Sequence, residues 1–381
     1  MSPAQCVHLS SNSIFRVCLD SNSGTGAGIA THGMREVGGW SDITTLRRYV
    51  YIAQLMSIDT ADNIQPASEL RAFNSTRPKE IPKPSNTMAS RKKILVTGAT
   101  GKQGGAVIKA LQENSPSFQI LALTRSASSN GAKALASKPN ITIVEGDHTS
   151  MPAIFEKHKP IYGVFSVTVP GKVSEEDQAK PLIDESVKNG VEHFVFSSVD
   201  RGGERSDTNP TNIPHFSAKH RIEEYLKEKS DNGKKMPYTI LRPVAFMDNL
   251  TPDFMGKGFT SMWAGVGAKP LQLISCRDIG LFAARAFNDP AAYKGRSIAL
   301  AGDELNIEQA RKVFKETMGS DLPETFGFVG SGLKFMIKEV GTMFNWFKDE
   351  GYGADIQALR KEEPRLQTFS QWLKETSKFS K

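Results

Sequence analysis

The stretch KILVTGATGKQGGAVIKALQEN, residues 93–114, begins as an apolar strand, turns on closely spaced glycines and continues with the apolar periodicity of a helix. Gly98, Gly101 and Gly104 give the spacing G-x-x-G-x-x-G. Such a turn lets a pyrophosphate approach the backbone N–H groups at a helix N-terminus, where side chains at the closest positions would block it. The stretch therefore predicts the opening of a dinucleotide-binding domain, with a purely structural turn as the alternative.

The end of the next apolar run, FQILALTRS, indicates which nucleotide to expect. Arg125 follows Gly104 by 21 residues, where a NAD-specific domain would carry Asp or Glu for the ribose 2′-hydroxyl. A guanidinium can instead bind a 2′-phosphate through charge-assisted hydrogen bonds of about 1.5–3 kcal/mol each. We therefore expect NADP (NADP⁺ or NADPH) as the cofactor, with an ordinary surface arginine as the alternative.

Further strand-like runs alternate with helical stretches: ITIVEGD, YGVFSVTVP, EHFVFSSVD and, as one strand, MPYTILRPVAFMDN. This alternation predicts an α/β fold, a Rossmann-type doubly wound parallel sheet with a smaller α+β C-terminal domain. Ligands bind at the carboxyl ends of such strands, so we expect Asp147 beside the adenine and Thr168 on the nicotinamide side. We assign residues 88–250 to the NADP-binding domain and 251–381 to the smaller domain that closes the cleft, with some segments interleaved.

The composition is that of a soluble globular protein, with 39% hydrophobic and 23% charged residues. No apolar run is long enough to span a bilayer, and the first residues lack a secretory signal pattern. Three cysteines without metal-ligand spacing predict no metal site and a reducing compartment, which favours the cytoplasm and leaves the nucleus open. The net charge of +7 forms no dense basic block, so nucleic acid is not favoured as a partner.

The first 87 residues differ from the rest, and we expect a poorly ordered N-terminal extension followed by a Pro-rich linker. Within them, GGWSDITTLRRYVYIA resembles the last part of a tyrosine recombinase catalytic domain, in which Tyr49 would be the nucleophile. This resemblance covers residues 35–60, and the remainder of that catalytic machinery is missing from the sequence. We therefore expect no strand cleavage, and nucleic-acid processing is only a third functional hypothesis.

Six motifs together resemble the NmrA-like family of atypical short-chain dehydrogenases/reductases over residues 92–374: VTGATGKQGG, LTRS, HFSAKHRIEEYL, TILRPVAFMDN, ISCRDIGLFAARAF and IALAGDELN. The resemblance implies an NADP-binding Rossmann domain beneath a smaller domain. Some members are redox-sensitive regulators, and others reduce small molecules such as quinones. It also implies that Lys219 contacts the nicotinamide ribose and that Pro243, Val244 and Phe246 border the nicotinamide. Spacing, strand-end position and this resemblance together predict the cofactor-binding residues Gly98, Ala99, Thr100, Gly101, Lys102, Gln103, Gly104, Arg125, Asp147, Thr168, Lys219, Pro243, Val244 and Phe246.

The run IPHFSAKHRIEEYL, residues 213–226, is where a short-chain dehydrogenase carries Tyr-x-x-x-Lys, and here His215 stands four residues before Lys219. On a helix the two side chains share one face and can both line the cleft. Imidazole has an ordinary pKa of about 6.5, so at neutral pH only a minor fraction is in the protonated form that can act as an acid. We name Lys219 and His215 as the candidate catalytic residues, and ribose binding is the favoured role of Lys219.

Two further groups of residues have a structural and a functional interpretation. Ser197 and Ser198 lie where dehydrogenases keep a substrate-orienting serine, but capping of strand-end backbone groups is the favoured interpretation. The apolar residues of GLKFMIKEVGTMFNWF recur at helical spacing, which predicts core packing, while an exposed stripe would indicate a partner surface. These residues are Phe335, Met336, Met343, Phe344, Trp346 and Phe347.

Two functions follow from these patterns. The first is an NADP(H)-binding, redox-responsive regulator that acts through a protein partner and lacks the usual tyrosine. The second is an NADPH-dependent oxidoreductase of a quinone or another small electrophile, with Lys219 or water as the proton source. The sequence names neither the partner nor the substrate.

Overall fold

The computed structural model describes residues 6–9, 15–18, 91–114, 117–325 and 338–380. The first two ranges are strands β1 (Cys6–Leu9) and β2 (Phe15–Cys18), which form an antiparallel pair within one compact unit, Met1–Thr44. Thr45–Lys381 forms the second unit. The predicted linker and the recombinase-like segment with Tyr49 lie outside the described residues, and so do Phe335 and Met336.

From Lys93 the second unit alternates strand and helix, as the sequence predicts. In chain order the elements are β3 (Lys93–Val96), α1 (Lys102–Asn114), β4 (Gln119–Thr124), α2 (Asn130–Ala136), β5 (Ile141–Glu145), α3 (Met151–His158), β6 (Gly163–Val167), α4 (Glu175–Lys188), β7 (His193–Ser197), α5 (Pro214–Lys229) and β8 (Tyr238–Pro243). Strands β7 and β8 are buried along their whole length, as expected for a parallel sheet covered on both faces.

The remaining elements alternate less regularly. They are β9 (Ala245–Phe246), α6 (Phe254–Ala264), β10 (Leu271–Ile274), α7 (Cys276–Asn288), α8 (Pro290–Tyr293), β11 (Ser297–Leu300), β12 (Asp303–Leu305), α9 (Ile307–Met318), α10 (Lys338–Asp349), α11 (Ile356–Glu362) and α12 (Phe369–Glu375).

Seven strands form one parallel sheet in the order β11-β8-β7-β6-β3-β4-β5. The chain moves outward from β3 to β5, then returns to the other side of β3 with β6. Such a reversal leaves a crevice at the carboxyl ends of the two strands, where open α/β sheets bind ligands. The predicted Rossmann-type doubly wound sheet is confirmed.

Helices cover both faces of this sheet. On one face α1 packs against α7, and their apolar side chains join those of the strands in one buried cluster. On the other face α3, α4 and α5 enclose a second cluster with the opposite side chains of the same strands. Among the described residues, no helix is long and apolar enough to cross a membrane.

A smaller sheet and the last helices form a second layer. Strand β10 pairs with β9 in parallel and with β12 in antiparallel fashion, and α6, α9, α10 and α12 surround a third apolar cluster. The segment MPYTILRPVAFMDN forms two strands rather than the single one predicted. Strand β8 ends at Pro243, which has no N–H to continue the ladder, and β9 pairs in the other sheet.

Candidate functional site

The glycine loop, residues 97–104, joins β3 to α1 at the crevice between β3 and β6. Gly98 has φ +57°, and a Cβ there would lie 2.8 Å from Val167 Cγ1. A Cβ on Gly104 would lie 2.2 Å from the carbonyl oxygen of Gly98. Gly98 is thus required by its left-handed backbone and by the Val167 side chain, and Gly104 by backbone that passes too close for a Cβ. The loop presents the N-terminal amides of α1, as an approaching pyrophosphate requires.

The other loop residues support this turn in different ways. Ala99 is buried and donates its N–H to the Leu123 carbonyl at 3.4 Å, while the Gly101 N–H binds the Gly98 carbonyl at 2.9 Å. Thr100 is exposed. The ammonium of Lys102 donates to the Asp248 carbonyl at 2.9 Å, so its side chain ties the loop to the turn after β9.

Gln103 links the glycine loop to the end of β7. Its side chain is buried, and its Oε1 accepts a hydrogen bond of 2.6 Å from the Ser197 hydroxyl. The Ser198 hydroxyl donates to Glu223 Oε1. Both serines therefore bind other side chains, not the strand-end backbone groups that the sequence favoured as their partners.

Arg125 and Asp147 follow β4 and β5 at the same edge of the sheet. Arg125 is exposed immediately after β4, where a guanidinium can meet a phosphate from solvent. The Asp147 carboxylate accepts the N–H and the hydroxyl of Thr149 at 2.9 and 2.7 Å, and these bonds lower its pKa. Asp147 thus caps a turn, and its predicted place beside the adenine stays a prediction.

Lys219 is buried in an ion pair that the sequence did not indicate. Its Nζ lies 2.7 Å from Glu175 Oε2, and both side chains are only 3% exposed. Thr168 completes the group, because its hydroxyl accepts from Lys219 at 3.0 Å and donates to Glu175 Oε2 at 2.6 Å. Glu175 Oε1 is buried without a hydrogen-bond partner among the described residues. The ammonium is therefore held at a fixed position by a carboxylate and a hydroxyl.

His215 lies one helical turn before Lys219 and is held by a residue from the C-terminal region. Its Nδ1 lies 2.8 Å from Glu339 Oε1, and the two side chains are 13% and 10% exposed. An ionised carboxylate can only accept, so this contact requires a proton on Nδ1 whenever Glu339 is ionised. The arrangement fixes the ring and its tautomer, as a carboxylate does for an imidazole in other catalytic and metal sites.

The cleft is the space that these two side chains line, bounded by Gln103 of the glycine loop, the end of β8, α5 and α10. Pro243, Val244 and Phe246 lie on its wall, where the resemblance predicts the nicotinamide border. Further apolar residues complete the lining, namely Phe216, Phe259, Val340, Met343 and Phe347. Met343, Phe344, Trp346 and Phe347 are also buried in the C-terminal core, so the predicted stripe is core and partly cleft wall.

Behind the Ser198 side of the cleft lies a buried cluster of charges. Arg201 Nη2 and Arg242 Nη2 lie 2.9 and 2.6 Å from Glu223 Oε2, and all three side chains are at most 3% exposed. Burial alone would raise the pKa of Glu223, but the two guanidinium groups outweigh it and lower that pKa. The cluster fixes the end of β7 and α5, which together carry one wall of the cleft.

Several site residues were missed from sequence, among them Glu175, Glu339 and Tyr352. Glu175 resembles an ordinary acidic first turn of a helix, and Glu339 lies in a segment interpreted as apolar core. Tyr352, which also lines the cleft, stands between Gly351 and Gly353, and this flanking is the one local signal that could have found it. Among the described residues, no group of His, Cys, Asp or Glu side chains is arranged to hold a metal ion.

Comparisons with known proteins agree with this architecture. The NmrA-like family model matches residues 90–373. The NmrA-like family domain-containing oxidoreductase lnaB of Aspergillus flavus is 28% identical over 254 residues, which cover 60% of this chain and 74% of that protein. The nitrogen metabolite repression protein nmr of Neurospora crassa is 24% identical over 327 residues, covering 75% and 61% respectively.

Solved structures share the fold at low sequence identity. Triphenylmethane reductase of Citrobacter sp., complexed with NADP(H), superposes with a TM-score of 0.59 at 17% identity and covers 74% of this chain and 99% of its own. NmrA, a negative transcriptional regulator in complex with NADP, superposes with a TM-score of 0.56 at 17% identity and covers 76% of this chain and 96% of its own. The quinone oxidoreductase QOR2 of Escherichia coli, complexed with NADPH, superposes with a TM-score of 0.56 at 20% identity and covers 73% of this chain and 96% of its own. With its sheet, its glycine loop and a family model matched over residues 90–373, this chain belongs to the NmrA-like family.

Proposed function

We propose that this chain is an NADPH-dependent oxidoreductase of a small, largely apolar electrophile such as a quinone. The observation that carries the proposal is the cleft, whose wall combines the predicted nicotinamide border with apolar side chains of α6 and α10. Ligand pockets combine such an apolar lining with a few polar groups that orient the ligand. His215, Lys219 and Tyr352 would be those groups.

The glycine loop and Arg125 fit NADP(H) by shape and charge. The absence of side chains at Gly98 and Gly104 lets the loop fold tightly against Val167 and onto itself, the compact turn that a pyrophosphate-binding loop needs. Arg125, exposed at the end of β4, would bind the 2′-phosphate. Bound NADPH would supply the hydride that an acceptor in the cleft receives.

Lys219 is better suited to hold the cofactor ribose than to donate a proton. An ammonium has three N–H donors: Glu175 and the Thr168 hydroxyl occupy two, and the third makes only a long bond of 3.4 Å to the Thr168 carbonyl. A ribose hydroxyl would replace that long bond. Proton donation would leave a neutral amine beside a buried carboxylate, which costs the attraction that now offsets the burial of both charges.

The regulator hypothesis remains the second candidate, and His215 is the observation that favours it. An imidazole stands where dehydrogenases use a phenol, and Glu339 occupies its Nδ1. The relatives named as regulators, nmr and NmrA, keep this hypothesis open. A regulator that responds to the redox ratio must bind NADP⁺ and NADPH with different affinity, because a ligand shifts a population only through differential affinity.

The test is NADPH consumption by the full chain with a panel of quinones and aldehydes. We expect oxidation that depends on the acceptor and falls at least about tenfold when NADH replaces NADPH, since one charge-assisted hydrogen bond corresponds to that factor. No acceptor-dependent oxidation anywhere in the panel would contradict the proposal. A large difference in affinity between NADP⁺ and NADPH would then support the regulator.

A further inference from the structure

Tyr352 brings a phenol to the cleft from the C-terminal region. The residue lies between α10 and α11, is partly buried, and lines the same cleft as His215 and Lys219. Its ring packs against Trp346 and Phe347 with centroid distances of 5.3 and 5.1 Å. Aromatic packing accounts for the position of the ring but gives the hydroxyl no role.

The segment that carries Tyr352 is anchored on both sides. The Gly353 N–H donates to the buried Asp200 carboxylate at 2.9 Å, and the Gly351 N–H binds the Trp346 carbonyl at 3.0 Å. A Cβ on Gly203 would lie 2.3 Å from the Gly353 carbonyl oxygen, so the segment meets the loop after β7 by direct backbone contact. These contacts fix the phenol relative to the end of β7.

The Tyr352 hydroxyl makes no hydrogen bond within the part of the chain that the structure describes. A tyrosine in a largely buried place usually finds a partner for its O–H, so Tyr352 brings an unused donor to the lining of the cleft. Burial, and then the nearby Asp200 carboxylate, raise the pKa of Tyr352 well above that of free tyrosine. The phenol therefore keeps its proton at all physiological pH values.

We propose that Tyr352 is the hydrogen-bond donor that binds the carbonyl or quinone oxygen of the acceptor, a role that rests on the proposed reductase function. Reduction of a quinone adds a hydride and a proton, and negative charge develops on the oxygen as the hydride arrives. A fixed O–H aimed at that oxygen stabilises the charge as oxyanion-hole donors do. Water supplies the proton that completes the hydroquinone.

This role differs from that of the tyrosine in Tyr-x-x-x-Lys. There, a neighbouring lysine lowers the pKa of the phenol and makes it an acid. Here the neighbour is the Asp200 carboxylate, while Glu175 neutralises Lys219, so the phenol is a weak acid and a donor of hydrogen bonds. The substrate class that follows is an apolar molecule with an exposed oxygen acceptor.

The test compares Tyr352→Phe with the wild-type chain in NADPH-dependent reduction of a naphthoquinone and of a cationic triphenylmethane dye. The variant keeps the ring and removes only an oxygen without a partner, so the thermal unfolding temperature should not change. We expect kcat/KM for the quinone to fall about 10²-fold, the usual effect of removing one oxyanion donor. The dye accepts a hydride at carbon and has no oxygen to bind, so its reduction should stay within about threefold of wild type.

Tyr225→Phe is the matched control, because the Tyr225 hydroxyl donates to Asp184 of α4 and Tyr225 is not among the residues that line the cleft. It should behave as wild type with both acceptors, and NADPH affinity should be unchanged in both variants. A wild-type chain that reduces the quinone while Tyr352→Phe matches it would overturn this inference and leave the proposed function intact. A wild-type chain that reduces no acceptor would overturn the proposed function and this inference together.

Discussion

The glycine loop and the cleft meet at Gln103 but are built in opposite ways. The loop is made of eight consecutive residues whose geometry comes from backbone contacts, with Gly98 and Gly104 too close to other atoms for a side chain. The polar wall of the cleft combines side chains of α5 with residues far from α5 in sequence. Glu175 precedes α5 in the chain, and Glu339 and Tyr352 follow it. A phosphate site can thus be encoded locally, whereas the acceptor site depends on tertiary contacts.

The largest effect should come from breaking the charge cluster behind the cleft. In Glu223→Gln the guanidinium group of Arg201 remains buried without a carboxylate and that of Arg242 keeps only the more exposed Asp207, which we expect to lower the free energy of unfolding by about 3–5 kcal/mol. Urea denaturation measures this change. The exposed pair of Glu224 with Lys227 provides the control, since Glu224→Gln should cost about 1 kcal/mol or less.

The same cluster predicts a pH dependence. The folded-state pKa of Glu223 lies below its ordinary value of 4.5, so its contribution to stability is present above that value and is lost as pH falls through the folded pKa. Wild type and Glu223→Gln should therefore converge in stability as the solution is acidified. A stability difference that stays constant down to pH values where the wild type unfolds would contradict this account.

The glycine loop should lose NADPH affinity when a Cβ is added at its closest backbone contact. In Gly104→Ala the new Cβ would meet the Gly98 carbonyl at 2.2 Å, and backbone atoms cannot rotate away as a flexible side chain can. We expect NADPH affinity to fall at least about 100-fold, roughly 2.7 kcal/mol, by calorimetry. Gly105→Ala is the matched control, because its nearest neighbour would be the Ala99 carbonyl oxygen at 3.7 Å. Equal loss of affinity in both variants would show that the close approach is irrelevant.

Variants of the buried Lys219–Glu175 pair distinguish a role of Lys219 in cofactor binding from a role in proton donation. Lys219→Met alone leaves the Glu175 carboxylate unpaired, so a loss of activity would be confounded by instability. The double variant Glu175→Gln/Lys219→Met removes both charges and should fold. We expect NADPH affinity to fall about 10- to 100-fold, the equivalent of one charged hydrogen bond, with little change in kcat. A fall in kcat of about 10² or more at unchanged affinity would instead identify Lys219 as the proton donor.

Removing the Arg125 side chain should have the smallest effect on cofactor affinity, and that effect should be specific to NADPH. Arg125→Ala should weaken NADPH binding at least about tenfold and leave NADH binding unchanged, because only NADPH carries a 2′-phosphate. Arg311→Ala on α9, which breaks surface pairs with Glu308 and Glu324, is the control. Equal weakening of NADPH and NADH by Arg125→Ala would contradict a phosphate-specific contact.

The sequence predicts what local patterns encode. The strand–turn–helix around the glycine loop, the parallel sheet and the paired position of His215 and Lys219 on α5 all depend on spacing within short segments. The partners of these side chains could not be predicted, because Glu339 meets His215 across 124 residues of chain. The break of the sixth predicted strand after Pro243 was missed for a similar reason, since an apolar run does not reveal which sheet it joins.

Calorimetric titration of the full chain with NADP⁺, NADPH, NAD⁺ and NADH measures directly whether the chain binds NADP(H). We expect both 2′-phosphorylated nucleotides to bind, each at least about tenfold more tightly than its unphosphorylated counterpart. Binding of none of the four, or equal affinity for NADPH and NADH, would contradict this expectation.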